Sequence, residues 1–115
     1  MIRTALAATL LAASMTFALA ATDDELRDQI AGSWGQDASC SSGSLTFRED
    51  GTFAFARPGA EPIGGTWSII DGILKGTRDG GSAQPDASVA FDDGTMSMTE
   101  AGDPPRTAVF ERCQD

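Results

Sequence analysis

Apolar and polar residues alternate along several short stretches of this chain, and turn residues separate the stretches. Residues 64–75 show the pattern in full: apolar positions at Trp67 and Ile69, then an Asp-Gly pair, then a second strand-like run. An Asp-Gly pair between two such runs is the strongest short-range signal of a β-hairpin. The pattern recurs around residues 44–57 and 88–99, so hairpins are predicted along most of the chain.

The strand-like runs number about eight, and turns separate them at regular intervals. Short strands with this spacing are typical of an antiparallel barrel or sandwich. Closure into a barrel also removes exposed sheet edges, which favour aggregation. We therefore predict an all-β fold, a small antiparallel up-and-down β-barrel of about eight strands.

A short helix is predicted ahead of the first strand. Thr22 can cap it, Glu25 can complete a capping box, and the acidic residues between them suit the positive end of a helix. Leu26 and Ile30 are four residues apart and therefore share one face. Residues 30–34 then change in character and begin the first strand.

The first twenty residues have the pattern of a secretory signal peptide. Arg3 gives a positive start, residues 5–19 form an apolar run, and residues 18–20 match the small-x-small cleavage pattern. A transmembrane anchor is the alternative, but the run is shorter than the ~20 strongly apolar residues that a spanning helix needs. We expect a signal peptide over 1–20 and a single domain over 21–115, periplasmic or secreted, without membrane insertion after cleavage.

Acidic residues outnumber basic ones by 17 to 8, which gives a net charge of −9 at pH 7. Because Arg3 would leave with the signal peptide, the exported chain would carry seven basic residues and a charge of −10. Such a charge repels nucleic acid and anionic lipid and favours basic partners. Solubility alone is the other interpretation of the acidity.

Cys40 and Cys113 are the two cysteines of the chain. Since an exported chain meets an oxidising compartment, this even count predicts one disulfide bond. The bond would join an early strand to the last one, which fits a barrel whose first and last strands meet. Two free thiols or a metal pair are the alternative, although the chain has no His to complete a zinc site.

Residues 31–34 have the sequence Ala-Gly-Ser-Trp and follow the predicted helix. This Gly-x-Trp start, the later hairpins and the terminal Arg112-Cys113 pair resemble small lipocalin-like (calycin-type) barrel proteins exported by bacteria. The resemblance implies that Trp34 packs at the closed end of the barrel against a basic side chain of the last strand, Arg112 or Arg106. It also implies binding of a small ligand or inhibition of a protein.

The helix followed by Gly-x-Trp is also similar to bacterial metalloprotease inhibitors of the same barrel type. Their disulfide closes a much shorter loop than a Cys40–Cys113 bond would close. We therefore expect a non-enzymatic exported binding module for a small apolar ligand or a basic exported protein. The alternative is an inhibitor of an exported enzyme, a protease or a lysozyme-like enzyme, that acts through a loop or the N-terminal arm.

Candidate catalytic residues are few in this chain. It has no His and no Tyr, so the commonest general base and the Ser-His and Cys-His nucleophile arrangements are missing. Adjacent carboxylates occur in turns, where Asp and Glu make local hydrogen bonds. The Asp-Gly turns lack the spaced ligands and terminal Glu of a calcium loop. We predict no enzymatic activity, no cofactor and no metal site.

The large apolar side chains have two interpretations, the lining of a ligand cavity or the filling of a small barrel, which interior side chains normally provide. Carboxylates at hairpin tips are the candidates for contact with a basic partner, because the tips of alternate hairpins lie at one end of an up-and-down barrel. The structural or cavity-lining set is Trp34, Phe47, Phe53, Phe55, Trp67, Phe91, Met96 and Met98, and the partner-facing set is Glu49, Asp50, Asp92 and Asp93.

Overall fold

The computed structural model describes residues 21–114 and shows one helix followed by a closed antiparallel barrel of eight strands in chain order. This architecture confirms the predicted fold class. The predicted signal peptide, residues 1–20, lies outside the described residues. The elements are α1 (Asp23–Ile30), β1 (Gly32–Gly35), β2 (Ser44–Phe47), β3 (Thr52–Ala56), β4 (Ile63–Ile70), β5 (Ile73–Arg78), β6 (Ala87–Asp92), β7 (Thr95–Glu100) and β8 (Arg106–Arg112).

Two of the hairpins turn through Asp-Gly pairs, as the sequence predicts. Asp71 and Gly72 in the β4–β5 turn have φ values of +53° and +80°. Asp93 and Gly94 in the β6–β7 turn have values of +50° and +82°. Positive φ at both central residues is what a type I′ turn requires, and this turn matches the twist of the strands that it joins. The local sequence therefore determines where the strands reverse.

The connections between the strands lie at two opposite ends of the barrel. The tight turns at 48–51, 71–72 and 93–94 lie at the same end as α1, which we call the helix end. The longer connections lie at the opposite end, which we call the mouth: residues 36–43, 57–62, 79–86 and 101–105.

Helix α1 covers the helix end of the barrel. The Thr22 hydroxyl accepts a hydrogen bond from the Glu25 amide, and the Glu25 carboxylate accepts one from the Thr22 amide, which confirms the predicted capping box. Leu26 and Ile30, the predicted apolar face, are buried in the core. Asp23 accepts hydrogen bonds from both amides of the β4–β5 turn. The helix start is therefore fixed to a hairpin tip.

The Gly-x-Trp segment joins the helix, the first strand and the last strand. The indole N–H of Trp34 donates to the Ile30 carbonyl at 2.8 Å. The guanidinium carbon of Arg112 lies 4.2 Å from the centre of the Trp34 ring. Arg112 also donates to the carbonyls of Ala31 and Gln29, at 2.9 and 2.6 Å. Trp34 does pack against a basic side chain of the last strand, as the resemblance implied, and that residue is Arg112.

Gly32 provides the space in which this junction forms. Its φ of +126° lies in a region that residues with side chains rarely adopt. A Cβ atom at this position would also collide with the Arg112 guanidinium. The two defining residues of the motif therefore have different roles: the glycine leaves room for the arginine, and Trp34 provides the ring on which it stacks.

The barrel closes through a short seam between the first and last strands. β1 and β8 pair at two positions, one of which joins Trp34 to Arg112. The Cys40–Cys113 disulfide links the β1–β2 connection to the residue that follows β8, with the two Cα atoms 5.6 Å apart. The predicted pairing is thus confirmed, and the bond crosses the seam where the hydrogen-bonded ladder is short.

The packed core occupies the half of the barrel nearest to the helix. Phe47 packs edge-on against Trp67 with ring centroids 5.5 Å apart, and the centroids of Trp34 and Phe91 are 5.8 Å apart. The indole N–H of Trp67 donates to the Arg48 carbonyl at 3.0 Å. Of the predicted structural or cavity-lining set, the buried members are Trp34, Phe47, Phe53, Trp67 and Met96, and the partly buried members are Phe55, Phe91 and Met98.

The disulfide should account for a large share of the stability. Its two cysteines are 73 positions apart, and closing a loop of that size contributes ~4 kcal/mol in the chain-entropy model. We expect the Cys40→Ser/Cys113→Ser double variant to lose about this amount of free energy of unfolding. Equilibrium urea denaturation of the oxidised protein and the variant measures the difference. Equal midpoints would show that packing alone holds the seam.

Trp34 and Trp67 should both be structural. Replacement of either residue by Ala should lower the free energy of unfolding by ~3–5 kcal/mol, the usual range for truncation of a large buried aromatic. Val109→Ala is the control, because Val109 is 57% exposed and surface substitutions usually change stability by less than ~0.5 kcal/mol. Urea denaturation followed by circular dichroism provides the comparison. An unchanged midpoint for Trp67→Ala would contradict its place in the core.

Candidate functional site

An apolar cavity of about 210 Å³ lies inside the barrel between the packed core and the mouth. Its walls are inward-facing side chains of six consecutive strands, β2 to β7, and part of the β5–β6 connection. Phe47 and Trp67 belong both to the core and to the cavity wall. The complete lining is Leu45, Phe47, Phe53, Trp67, Leu74, Gly76, Gln84, Pro85, Ala87, Met98 and Glu100.

Two inward-facing positions beside the Phe53 ring are glycines, and they have different surroundings. Gly65 pairs with Phe53, and Gly76 pairs with Trp67 on the neighbouring strand. The Phe53 ring lies over Gly65, where a Cβ atom would come within 2.6 Å of it. At Gly76 the nearest atoms to such a Cβ would be 3.7 Å away or more. A Cβ atom at Gly76 would therefore meet its neighbours, the Phe53 ring among them, at ordinary van der Waals distance without a clash, and Gly76 itself lines the cavity.

The β5–β6 connection forms one side of the cavity. β5 and β6 pair at only two positions, both at the start of each strand. Toward the mouth, β5 instead contacts residues 79–86, where the Gln84 amide donates to the Gly76 carbonyl at 2.8 Å. The side chains of Gln84 and Pro85 reach the cavity. A loop thus replaces a strand in this part of the wall, and loops are usually more mobile than the strands that they connect.

Glu100 and Gln84 are the polar side chains of the cavity lining. Glu100 pairs with Ala87 of β6 and Arg106 of β8, and it faces inward together with the buried Ala87. Its side chain is partly buried. Within residues 21–114, no basic nitrogen lies within 4.0 Å of its carboxylate. The cavity therefore contains one carboxylate that has no ion-pair partner in the described chain.

Two further recesses adjoin the cavity at the mouth. One of about 340 Å³ shares Leu45 and Phe53 with the cavity and includes Arg78. The other, of about 380 Å³, lies beside the β1–β8 seam and includes Arg57, whose guanidinium stacks over the Phe55 ring at 5.6 Å. The mouth thus presents connected apolar surfaces with arginines in the outer recesses.

The predicted partner-facing carboxylates lie together at the helix end. Glu49 and Asp50 belong to the β2–β3 turn, while Asp92 ends β6 and Asp93 follows it, and all four are exposed. The structure therefore brings the two hairpin tips to the same end, as alternation along the barrel predicts. The same end carries the further carboxylates Asp23, Asp24, Glu25, Asp28 and Asp71 and the basic residues Arg27, Arg48 and Arg112.

Hydrogen bonds lower the pKa of two exposed carboxyl groups. The Thr52 hydroxyl and amide both donate to Oδ1 of Asp50, at 2.7 and 2.9 Å, and hold its pKa below the ordinary value of 3.8. The Ser39 hydroxyl and amide lower the pKa of Asp37 in the same way. Hydrogen bonds to the ionised form favour that form. Asp50 therefore has a local role in its turn, while its Oδ2 adds negative charge to the helix end.

Gly76, Gln84 and Glu100 line the cavity, and none of them is among the residues predicted from the sequence. Alternation does indicate that Gly76 shares a face with Leu74, and that Glu100 shares one with Met98. A glycine or a carboxylate at a position that alternation places inside the barrel is the signal by which Gly76 and Glu100 can be predicted to line a cavity. Gln84 had no such signal, because the connection that contains it has no strand pattern.

Comparison of this chain with protein-family models, with curated proteins and with solved structures finds no match. Between residues 21 and 114, no helix has the length and apolar character needed to cross a membrane. The same part of the chain contains no group of three or more His, Cys, Asp or Glu side chains placed to hold a metal ion. The cavity and the distribution of charge are therefore the features of this structure that bear on its function.

Proposed function

We propose that this protein is a non-enzymatic, exported, lipocalin-like binding module that holds a small ligand with an apolar body at the barrel mouth. The observation that carries the proposal is the cavity of about 210 Å³, which is lined mainly by apolar and aromatic side chains. Small-molecule sites are typically concave and apolar, with a small number of polar groups that orient the ligand. Glu100 and Gln84 are the polar groups available for this purpose.

The barrel architecture and the disulfide support two other parts of the proposal, which are the lipocalin-like assignment and export. An eight-stranded up-and-down barrel with a helix at one end supports a lipocalin-like assignment. The stacking of Arg112 on Trp34 at the helix end supports it further. The Cys40–Cys113 disulfide supports export to the periplasm or the medium, because such bonds form and persist in oxidising compartments.

The volume of the cavity limits the size of the ligand. A protein cavity of ~150 Å³ holds a benzene-sized molecule, whereas sites for drug-sized ligands occupy ~300–1,000 Å³. At about 210 Å³, this cavity suits a ligand with one ring or a short branched chain. A longer ligand would extend past Leu45 into the recesses that contain Arg78 or Arg57.

Filling the cavity from its own wall tests the proposal. Gly76→Val adds a side chain to the cavity wall at a position where a Cβ atom would make ordinary van der Waals contacts and no clash, and Val is favoured in strands. We expect the wild-type protein to bind a one-ring neutral compound such as benzyl alcohol. The binding should change the fluorescence of Trp67, which lines the cavity, and Gly76→Val should weaken it by about tenfold or more.

Thr77→Val is the matched control for this experiment. It adds the same side chain to the next residue of β5, which is exposed, so its affinity should equal that of the wild type. Thermal unfolding of both variants verifies that each one is folded. The proposal would be contradicted if the wild-type protein bound no one-ring probe, or if Gly76→Val bound the probe as tightly as Thr77→Val.

Inhibition of an exported enzyme with a basic surface is the second candidate function, and the acidic helix end favours it. Glu49, Asp50, Asp92 and Asp93 are exposed there. A surface with one sign of charge accelerates association with a partner of opposite charge. Residues 21–30 of the N-terminal arm pack on the barrel, so a contact made by the arm would add its carboxylates to the same surface.

Neutralising the four partner-facing carboxylates tests this second function. The variant Glu49→Gln/Asp50→Asn/Asp92→Asn/Asp93→Asn should associate more slowly with a basic exported enzyme such as a lysozyme. Its association rate should also depend less on salt, because screening acts over a Debye length of ~8 Å at physiological ionic strength. Surface plasmon resonance across a range of salt concentrations measures both effects.

Two double variants show whether the association rate depends on the position of the carboxylates or only on the net charge of the protein. Asp92→Asn/Asp93→Asn acts at the helix end, and Glu61→Gln/Asp103→Asn changes the net charge equally at the mouth. Only the first pair should slow association. Equal effects of the two pairs, or an association rate that is independent of salt, would mean that the acidity serves solubility alone.

A further inference from the structure

Glu100 places a single carboxylate at the mouth end of the cavity. It is the last residue of β7, and it faces inward beside Ala87. Its cross-strand neighbour Arg106 is exposed, and no ion pair within 4.0 Å joins the two side chains. The remaining polar side chain of the lining, Gln84, is uncharged. Negative charge at the cavity therefore comes from one identifiable group.

The partial burial of Glu100 determines which ligands suit the cavity. Removing water from a carboxylate is unfavourable unless a hydrogen bond or an opposite charge compensates. A neutral apolar ligand at the mouth would remove more water from Glu100 without compensation. A ligand that carries a positive charge and an N–H donor would compensate for that loss, so the affinity of the site should depend on ligand charge.

The aromatic part of the cavity wall favours the same kind of ligand. Phe47, Phe53 and Trp67 line the cavity and offer apolar ring surface to the uncharged body of such a ligand. The indole N–H of Trp67 already donates to the Arg48 carbonyl. Trp67 therefore offers the ligand apolar ring surface, and its N–H is already used and is not a donor for an anion.

The basic residues at the mouth face other spaces. Arg78 lines the smaller of the two adjoining recesses, and Arg57 stacks on Phe55 in the larger one. The lining of the cavity that holds Glu100 includes no basic side chain. The net charge of −9 also raises the local concentration of cations around the protein. Local and overall charge therefore favour a cation in this cavity.

We propose that the ligand of this cavity is a small organic cation, an amine or quaternary ammonium with a one-ring or short-chain apolar body. Glu100 holds the positive charge at the mouth, and the apolar body lies between Trp67 and Phe53. The proposal rests on the function proposed above, because it assumes that the cavity is a ligand site. It specifies the charge and the orientation of the ligand.

Three one-ring probes of similar size and different charge test this proposal at neutral pH. Benzylamine is the cation, benzyl alcohol is the neutral probe and benzoate is the anion. We expect benzylamine to bind about tenfold more tightly than benzyl alcohol, as one additional charge-assisted hydrogen bond would predict. Benzoate should bind most weakly. Titrations followed by isothermal calorimetry and by Trp67 fluorescence give the three affinities.

Substitutions at the mouth test whether Glu100 is the group that causes the preference for a cationic ligand. Glu100→Gln should remove the preference for the cation, so that benzylamine binds no more tightly than benzyl alcohol does to the same variant. Arg106→Gln should increase the affinity for benzylamine, because it removes a competing positive charge opposite Glu100. Glu61→Gln is the control, since Glu61 is an exposed carboxylate at the mouth that lines neither the cavity nor the recesses.

The outcomes separate this proposal from the one on which it rests. If no probe binds, or if Gly76→Val does not weaken binding, the cavity is not a ligand site and both proposals fail. If benzyl alcohol binds in the cavity but benzylamine binds no more tightly, the inference about charge is overturned and the proposed function stands. The inference about charge would also be overturned if Glu100→Gln still bound benzylamine more tightly than benzyl alcohol. Tightest binding of benzoate would overturn it and indicate Arg78 or Arg57 as the recognition group.

Discussion

The stacking of Arg112 on Trp34 is the contact on which the closed barrel depends. It joins the last strand to the first, and the hydrogen bonds from the same guanidinium to the Ala31 and Gln29 carbonyls add the end of the helix. The β1–β8 ladder contains two residue pairs, so the strands alone provide little cohesion across the seam. The arginine and the disulfide at Cys113 reinforce this seam from two sides.

Tight packing near the helix allows the opposite half of the barrel to stay open. Leu26 and Ile30 complete a core in which Trp34 and Ile69 are fully enclosed, so that stability is concentrated at one end. Toward the mouth lies the cavity, which is lined by Gly76 and, on one side, by the β5–β6 connection in place of a strand. Binding regions are often drawn from the less stable parts of a structure, and the ligand site proposed above lies in the half of the barrel that is less densely packed.

The two ends of the barrel also differ in charge. Carboxylates surround the helix end on exposed hairpin tips, where they act on approaching proteins through solvent. At the mouth, Glu100 lies at the edge of an apolar space, where partial removal of water strengthens its effect on a bound molecule. The proposed ligand site and the proposed protein-binding surface therefore lie at opposite ends of the barrel, and the substitutions that test one proposal leave the other surface intact.

Short-range physics determined the features that the sequence alone predicted. A strand, a tight turn at Asp71-Gly72 and the capping box of Thr22 each depend on residues a few positions apart, so the local pattern was sufficient. The cavity depends on distant positions. Gly76 lines it beside Phe53, and Glu100 lines it from another strand. Only the tertiary structure decided whether the barrel was filled, because filling depends on the summed volume of side chains that packing brings together.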